Sequence, residues 1–282
     1  MKIAVVTDST AYLSEETRQK DNLFILPIPV IVDGKLYNEG VDINAEEYFE
    51  LLKTAQNFPT TSQPSLGEVI ELYQNIEELG YDTIISIHLS SGISGFVRNI
   101  SSISTGIPEL NIHVFDSLIT SAPMGHMVKV ALEMAQSGES AEAIIEKLSL
   151  IRDHTDAFMI VDDLNNLVRG GRLTNGVALI GSLLKIKPVL TFEKGDIVLY
   201  EKIRSSKKAF TRAEELITQR REEYNLPVKM FVIHSNAEEI AKELQEHLEL
   251  NHPGVEVDVS TFGPVIGTHL GDKAVGLAIT AL

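Results

Sequence analysis

Short runs of β-branched, apolar residues that do not alternate with polar ones constrain this chain most. "IAVV" near the start and "TIISI" at Thr83–Ile87 are the clearest. A strand with one wet face alternates apolar and polar residues, whereas an unbroken apolar run suits a strand covered on both faces of a parallel sheet. Further strands are expected at Leu26–Val32, Ile112–Phe115, Phe158–Val161, Pro188–Phe192, Ile197–Ile203, Lys229–His234 and Val255–Ser260. Helical patterns lie between most of them. Ser65 with Glu68, Asn44 with Glu47, and Asn236 with Glu239 each place a capping side chain three residues before a glutamate. After Ser65, apolar residues recur at helical spacing as far as Gly80, and another helix opens at Pro123.

This alternation implies an α/β protein of two α/β domains. Residues 1–160 are expected as a Rossmann-like, parallel-sheet N-terminal domain. Residues 161–282 have fewer crossovers and contain "VLTFEKGDIVLYEKI", two strands joined by a turn at Lys194–Asp196, so a mixed-sheet α/β C-terminal domain is expected there. The boundary near residue 160 carries a margin of ten residues or more.

Several function classes are excluded. With no cysteine, the chain has no disulfide, no thiol nucleophile and no cysteine-rich zinc site. No apolar run approaches the ~20 residues of a transmembrane helix. "MKIAVVTDST" reads as an opening strand rather than a signal peptide, and a cytoplasmic protein is the simplest expectation. A net charge of −16 argues against general affinity for nucleic acid or anionic membrane. The charge is uneven, however: Arg169–Lys208 holds nine basic and three acidic residues, leaving −22 on the rest. That window is either a set of solvated lysines or a surface for a phosphate or an acidic partner.

Three hydroxyl-rich stretches stand where strands end or helices begin: "TDST" at Thr7–Thr10, "PTTSQPS" at Pro59–Ser65, and "LSSGISG" at Leu89–Gly95. Ligands collect outside the carboxyl ends of strands in open α/β sheets, which favours one shared site. The third stretch is out of register for a Gly-x-Ser-x-Gly nucleophile elbow, and neither glycine-rich nucleotide-binding pattern occurs. Ser91 or Ser94 then either caps the following helix or joins its first amides in holding a small anion. "LVRGGRLT" sets two arginines around a glycine pair, and "GPVIGTHLG" sets His269 among three glycines, where it donates to an anion or holds a loop. No metal-ligand spacing appears.

In this order and spacing, "TDST", "PTTSQPS", "LSSGISG", "VRGGRL", "LLKIKPVL" and "GPVIGTHLG" resemble the DegV family over nearly the whole chain. That family includes the fatty-acid-binding subunits of bacterial fatty acid kinase. The resemblance implies a long-chain fatty acid buried between the two domains, with its carboxylate held by Thr61 and Ser94, and Ser62 and Ser91 nearby. It places Arg204 and His269 by the head group, and gives Arg172 to docking a kinase subunit that makes an acyl phosphate from ATP. The chain would itself be a carrier with no cofactor. The alternatives are a stand-alone lipid hydrolase or phosphotransferase, and a fatty-acid-responsive regulator. The sequence departs from the family at Phe96-Val97-Arg98 and at Asp272-Lys273.

Overall fold

A computed structural model describes residues 2–104, 106–107, 110–176 and 186–282. Lys185 of the basic window, with the rest of the "LLK" that begins "LLKIKPVL", lies outside these residues.

The strands in chain order are β1 (Ile3–Asp8), β2 (Leu23–Leu26), β3 (Pro29–Val32), β4 (Lys35–Asn38), β5 (Thr60–Thr61), β6 (Thr83–His88) and β7 (Asn111–Asp116). The chain continues through β8 (Thr155–Ile160), β9 (Lys187–Glu193), β10 (Asp196–Ile203), β11 (Val228–His234), β12 (Glu256–Thr261) and β13 (Val275–Ala281). One sheet is wholly parallel, in the order β2-β1-β6-β7. β1 and β6 are buried at every position, which is why "IAVV" and "TIISI" do not alternate. The second sheet is mixed, β10-β9-β8-β13-β11-β12, and β11 and β13 are likewise buried throughout. Since β8 begins at Thr155 and already belongs to this sheet, the chain changes sheets before Thr155.

Alternate residues of the second sheet serve two different cores. Phe158, Val232 and Leu277 pack under the helices Ser206–Tyr224 and Glu238–Asn251. Met159, Ile233 and Ala278 face the other way and share one continuous core with the parallel sheet. The β9–β10 hairpin turns at Lys194–Gly195, both at positive φ (51° and 89°), as a two-residue hairpin turn of the primed type demands.

Local signals hold at most helix starts. Asn44 and Ser65 each make the full capping box with Glu47 and Glu68. Asn236 does not: it sits at φ 47° and donates its side-chain amide to Asp272 Oδ1 at 2.9 Å, while Ala237 takes the cap position of the helix Glu238–Asn251. The expected strand Leu26–Val32 is two strands in different sheets. Pro27 and Pro29 lack the N–H groups a continuous ladder requires, and the chain leaves the parallel sheet after Leu26.

β3, β4, β5 and the helix Ala45–Leu52 form a small outlying unit that grips the helix Pro264–Leu270 from the other end of the chain. Tyr48 and Thr268 hydroxyls meet at 2.6 Å in full burial. Glu39, 5% exposed, accepts from Ser9 Oγ at 2.6 Å and from the Val265 amide at 3.0 Å. A Cβ on Gly263 would stand 2.3 Å from Glu39 Oε1, so only glycine admits the carboxylate there.

Burial pushes the Glu39 pKa up to about 7, against the lowering effect of its two donors and with Asp8 and Arg18 acting in opposite senses. A group whose pKa is higher folded than unfolded contributes stability below its unfolded value and loses it as pH rises through the folded one. Wild type should therefore lose stability relative to Glu39→Gln between about pH 4.5 and 7, by on the order of 3 kcal/mol. Denaturant midpoints of both proteins across that range check this; a constant difference would refute it.

Candidate functional site

The shared core between the two sheets contains a cavity of about 330 Å³, within the usual range for small-molecule sites. It exists because the strands behind it carry small residues where they face the parallel sheet: Ala157 on β8, Gly276 and Ala278 on β13. Ile28, Met159, Phe192, Ile233 and Phe262 supply apolar wall.

The polar part of the wall comes from both ends of the chain. Thr61, from the short strand β5, places its Oγ1 2.9 Å from His269 Nε2 on the helix Pro264–Leu270. Thus His269, expected in a loop, sits on a helix. Burial first, and then the neighbouring Arg172 charge, drives the His269 pKa down to about 3, so the ring is neutral. With Nε2–H donating to Thr61, the threonine proton is free for another oxygen. His269 Nδ1 is buried and has no partner among the described residues.

Arg172 lines the same cavity, its Nε donating to Ile93 O at 3.2 Å and a terminal nitrogen donating to Gly170 O. Burial lowers its pKa. Ser94 Oγ accepts from the Phe96 amide at 3.2 Å at the start of the helix Phe96–Ser104. A cap uses only a lone pair of the hydroxyl, so Ser94 keeps its proton to donate into the cavity it lines. Capping and gripping are compatible.

Thr61, Ser62, Ser94, Arg172 and His269 are brought together on one cavity. Two expected residues are not. Ser91 lies outside the lining, with its amide bound to Asp116 Oδ1 at 3.1 Å, and Arg204 is exposed and also outside it. Arg172 thus lines the cavity while staying half-exposed, and Arg204 lies apart from it. Three contributors were missed. Ser90 donates to Gly195 O at 2.7 Å and ties the serine–glycine loop to the β9–β10 turn. A Cβ on Gly92 would stand 2.4 Å from that same oxygen, so this contact is backbone against backbone. Thr120 and Ser121 also line the cavity; "SLITS" ends β7 with the same hydroxyl signature as the other loops.

The two departures from the family pattern find partners. Phe96 is fully buried, edge-on to the His88 ring at 4.9 Å, and Arg98 donates to Ser91 O at 3.2 Å. Asp272 accepts from Asn236, and the Lys273 amide donates to Ser235 O at 2.8 Å.

One arrangement resembles a hydrolytic triad and is not usable as one. Asp8 Oδ2 lies 3.0 Å from His88 Nδ1, and His88 Nε2 lies 2.7 Å from Ser86 Oγ, which also meets Tyr73 OH at 2.7 Å. All four residues are completely buried, so no substrate reaches Ser86. Among the described residues no cluster of three or more His, Asp and Glu could hold a metal ion, and no helix is long and apolar enough to cross a membrane.

Comparison with known proteins follows the same lines. Residues 2–282 match the model for uncharacterised proteins of the DegV family. A DegV domain-containing protein of Listeria innocua is 47% identical over 276 residues, covering 98% of this chain and 97% of that one. A fatty acid binding DegV family protein of Streptococcus agalactiae superimposes with a TM-score of 0.95 at 39% identity, covering 100% and 99% of the two chains. DegV of Bacillus subtilis, described as a fatty acid binding protein, gives 0.92 at 41% identity with both chains fully covered.

The buried imidazole can be read directly. In a histidine NMR titration His269 should stay neutral down to pH 5, given its pKa of about 3. Titration near 6.5, the usual value, would show that the ring is hydrated and the Thr61 contact open.

Proposed function

This chain belongs to the DegV family, and from that premise we propose that it binds one long-chain fatty acid in the cavity between its two sheets. It presents the carboxylate to a separate ATP-dependent kinase subunit for conversion to an acyl phosphate. The observation that carries this reading is the composition of the cavity wall. Most of it is apolar, and the polar groups that do converge can donate; the one hydroxyl–imidazole pair, Thr61 with His269, has a ring whose pKa of about 3 makes it too weak a base to activate the hydroxyl.

Magnitudes divide the labour. A tail of ~14 methylenes at about 0.8 kcal/mol each contributes on the order of 11 kcal/mol before ordering costs. A hydrogen bond to a carboxylate adds about 1.5–3 kcal/mol. The tail sets affinity, and Thr61, Ser94, His269 and Arg172 fix the head. Donors are needed there because a buried, unpaired carboxylate would cost far more than the bonds return. Exposed Ser62, beside Thr61 on the cavity rim, marks the side from which a phosphate donor approaches. Such a carrier works in the cytoplasm, as two α/β domains with the ligand at their junction.

Mass spectrometry of the gently purified, denatured wild type should find about one acyl chain per protein, or uptake of one when fatty acid is added. Ala278→Leu, which fills the cavity, should hold much less while remaining folded. Absence of any acyl ligand or uptake in wild type would refute the reading.

The two arginines should separate. Arg172→Ala weakens fatty acid binding, whereas Arg204→Glu lowers kinase-dependent phosphorylation and leaves binding intact. Equal losses of both activities in both variants would contradict this division.

A further inference from the structure

We propose that Ser121 forms a second oxygen-binding point in the cavity, which selects acyl chains bearing a hydroxyl or oxo group along their length over plain alkyl chains. This inference rests on the fatty-acid reading and goes beyond it to the class of chain.

Ser121 begins the 16-residue helix Ser121–Gln136, is 3% exposed, and lines the cavity. Its hydroxyl has no hydrogen-bond partner among the described residues, although its carbonyl accepts from the Tyr12 amide at 3.4 Å. The residue at the cap position does not serve the helix either. Thr120 Oγ1 donates to Thr10 Oγ1 at 2.9 Å, Thr10 Oγ1 donates to Asp8 Oδ1 at 2.6 Å, and no side-chain cap bond is made. The first amides of a helix have no internal acceptors and stand at the positive end of its dipole. Pro123 supplies no N–H and neither Ala122 nor Met124 lines the cavity, so the free Ser121 hydroxyl is the donor that this uncapped helix start sets on the cavity wall.

The surroundings decide what belongs there. Ile119, Pro123, Ile233 and Phe262 line the same cavity, so an acyl chain laid through it meets alkyl surface almost everywhere else. Water can satisfy the hydroxyl while the cavity is empty. A plain alkyl chain displaces that water without replacing its hydrogen bond. A chain oxygen replaces it, and the difference is worth roughly five- to a hundredfold in affinity. The oxygen should be uncharged, because no cationic side chain is among the residues around Ser121 in the helix's first turn and a second buried carboxylate would stand unpaired.

The test uses the delipidated full chain and competition with a fluorescent fatty acid. Stearate is compared with a positional series of monohydroxystearates. At least one isomer should bind about fivefold or more tightly than stearate, and the ratio should fall to about one in Ser121→Ala. Because alanine at a φ of 61° is strained, Ser121→Gly, which tolerates that backbone, repeats the measurement should the first variant not fold. Stearate binding with no favoured isomer overturns this inference alone, as does a preference that survives the loss of the hydroxyl. Binding of neither stearate nor any isomer overturns the fatty-acid reading with it.

Discussion

The Glu39 carboxylate joins three distant parts of the chain. It takes a hydrogen bond from Ser9, where β1 ends, and another from Val265, where the helix bearing His269 begins, while itself belonging to the outlying β3–β5 unit. Thr61 comes from that same unit, so the register between Thr61 and His269 follows from where Glu39 is anchored. The Tyr48–Thr268 contact fixes the helix one turn further on. A buried carboxylate is costly, and burial raises its pKa. What it provides is direction: two donors on two oxygens define one position for the helix, where apolar packing alone would admit several.

The cavity is formed by subtraction. β8 and β13 are central strands, and large residues on their inner faces would close the space against the parallel sheet. Ala157, Gly276 and Ala278 leave it open, while the opposite faces of the same strands carry Phe158, Leu277 and Ile279 and pack fully. The polar groups then occur where strand and helix ends reach that space, because only there do backbone amides and short hydroxyl side chains converge. Thr61, Ser94 and Ser121 all stand at such ends.

Much of this was legible in the sequence, and the failures have physical causes. Apolar runs identified β1 and β6, and capping boxes placed the helices after Asn44 and Ser65, because both signals depend on neighbours a few residues away. β13 was missed: "VGLAITA" contains the glycine and alanines that make the cavity, and these weaken the very propensity by which a strand is recognised. Asn236 looked like a cap, but its side chain is taken by Asp272, a partner 36 residues away. Two of the three expected hydroxyl loops meet on the cavity, whereas "TDST" does not line it: Thr10 is taken by Asp8 and Thr120, and Ser9 by Glu39. Which way Arg172 and Arg204 point was not legible, since that depends on how the two sheets face each other.

A cavity inside a core shared by both sheets has a consequence for how the molecule persists. Without an occupant, the packing between the sheets is short by the contacts that a ligand would make. Any molecule that binds only the folded form adds stability in proportion to the logarithm of its concentration over its dissociation constant. The occupant is then a structural component drawn from solution, and the lifetime of the folded chain becomes a gauge of how much of it the surroundings supply.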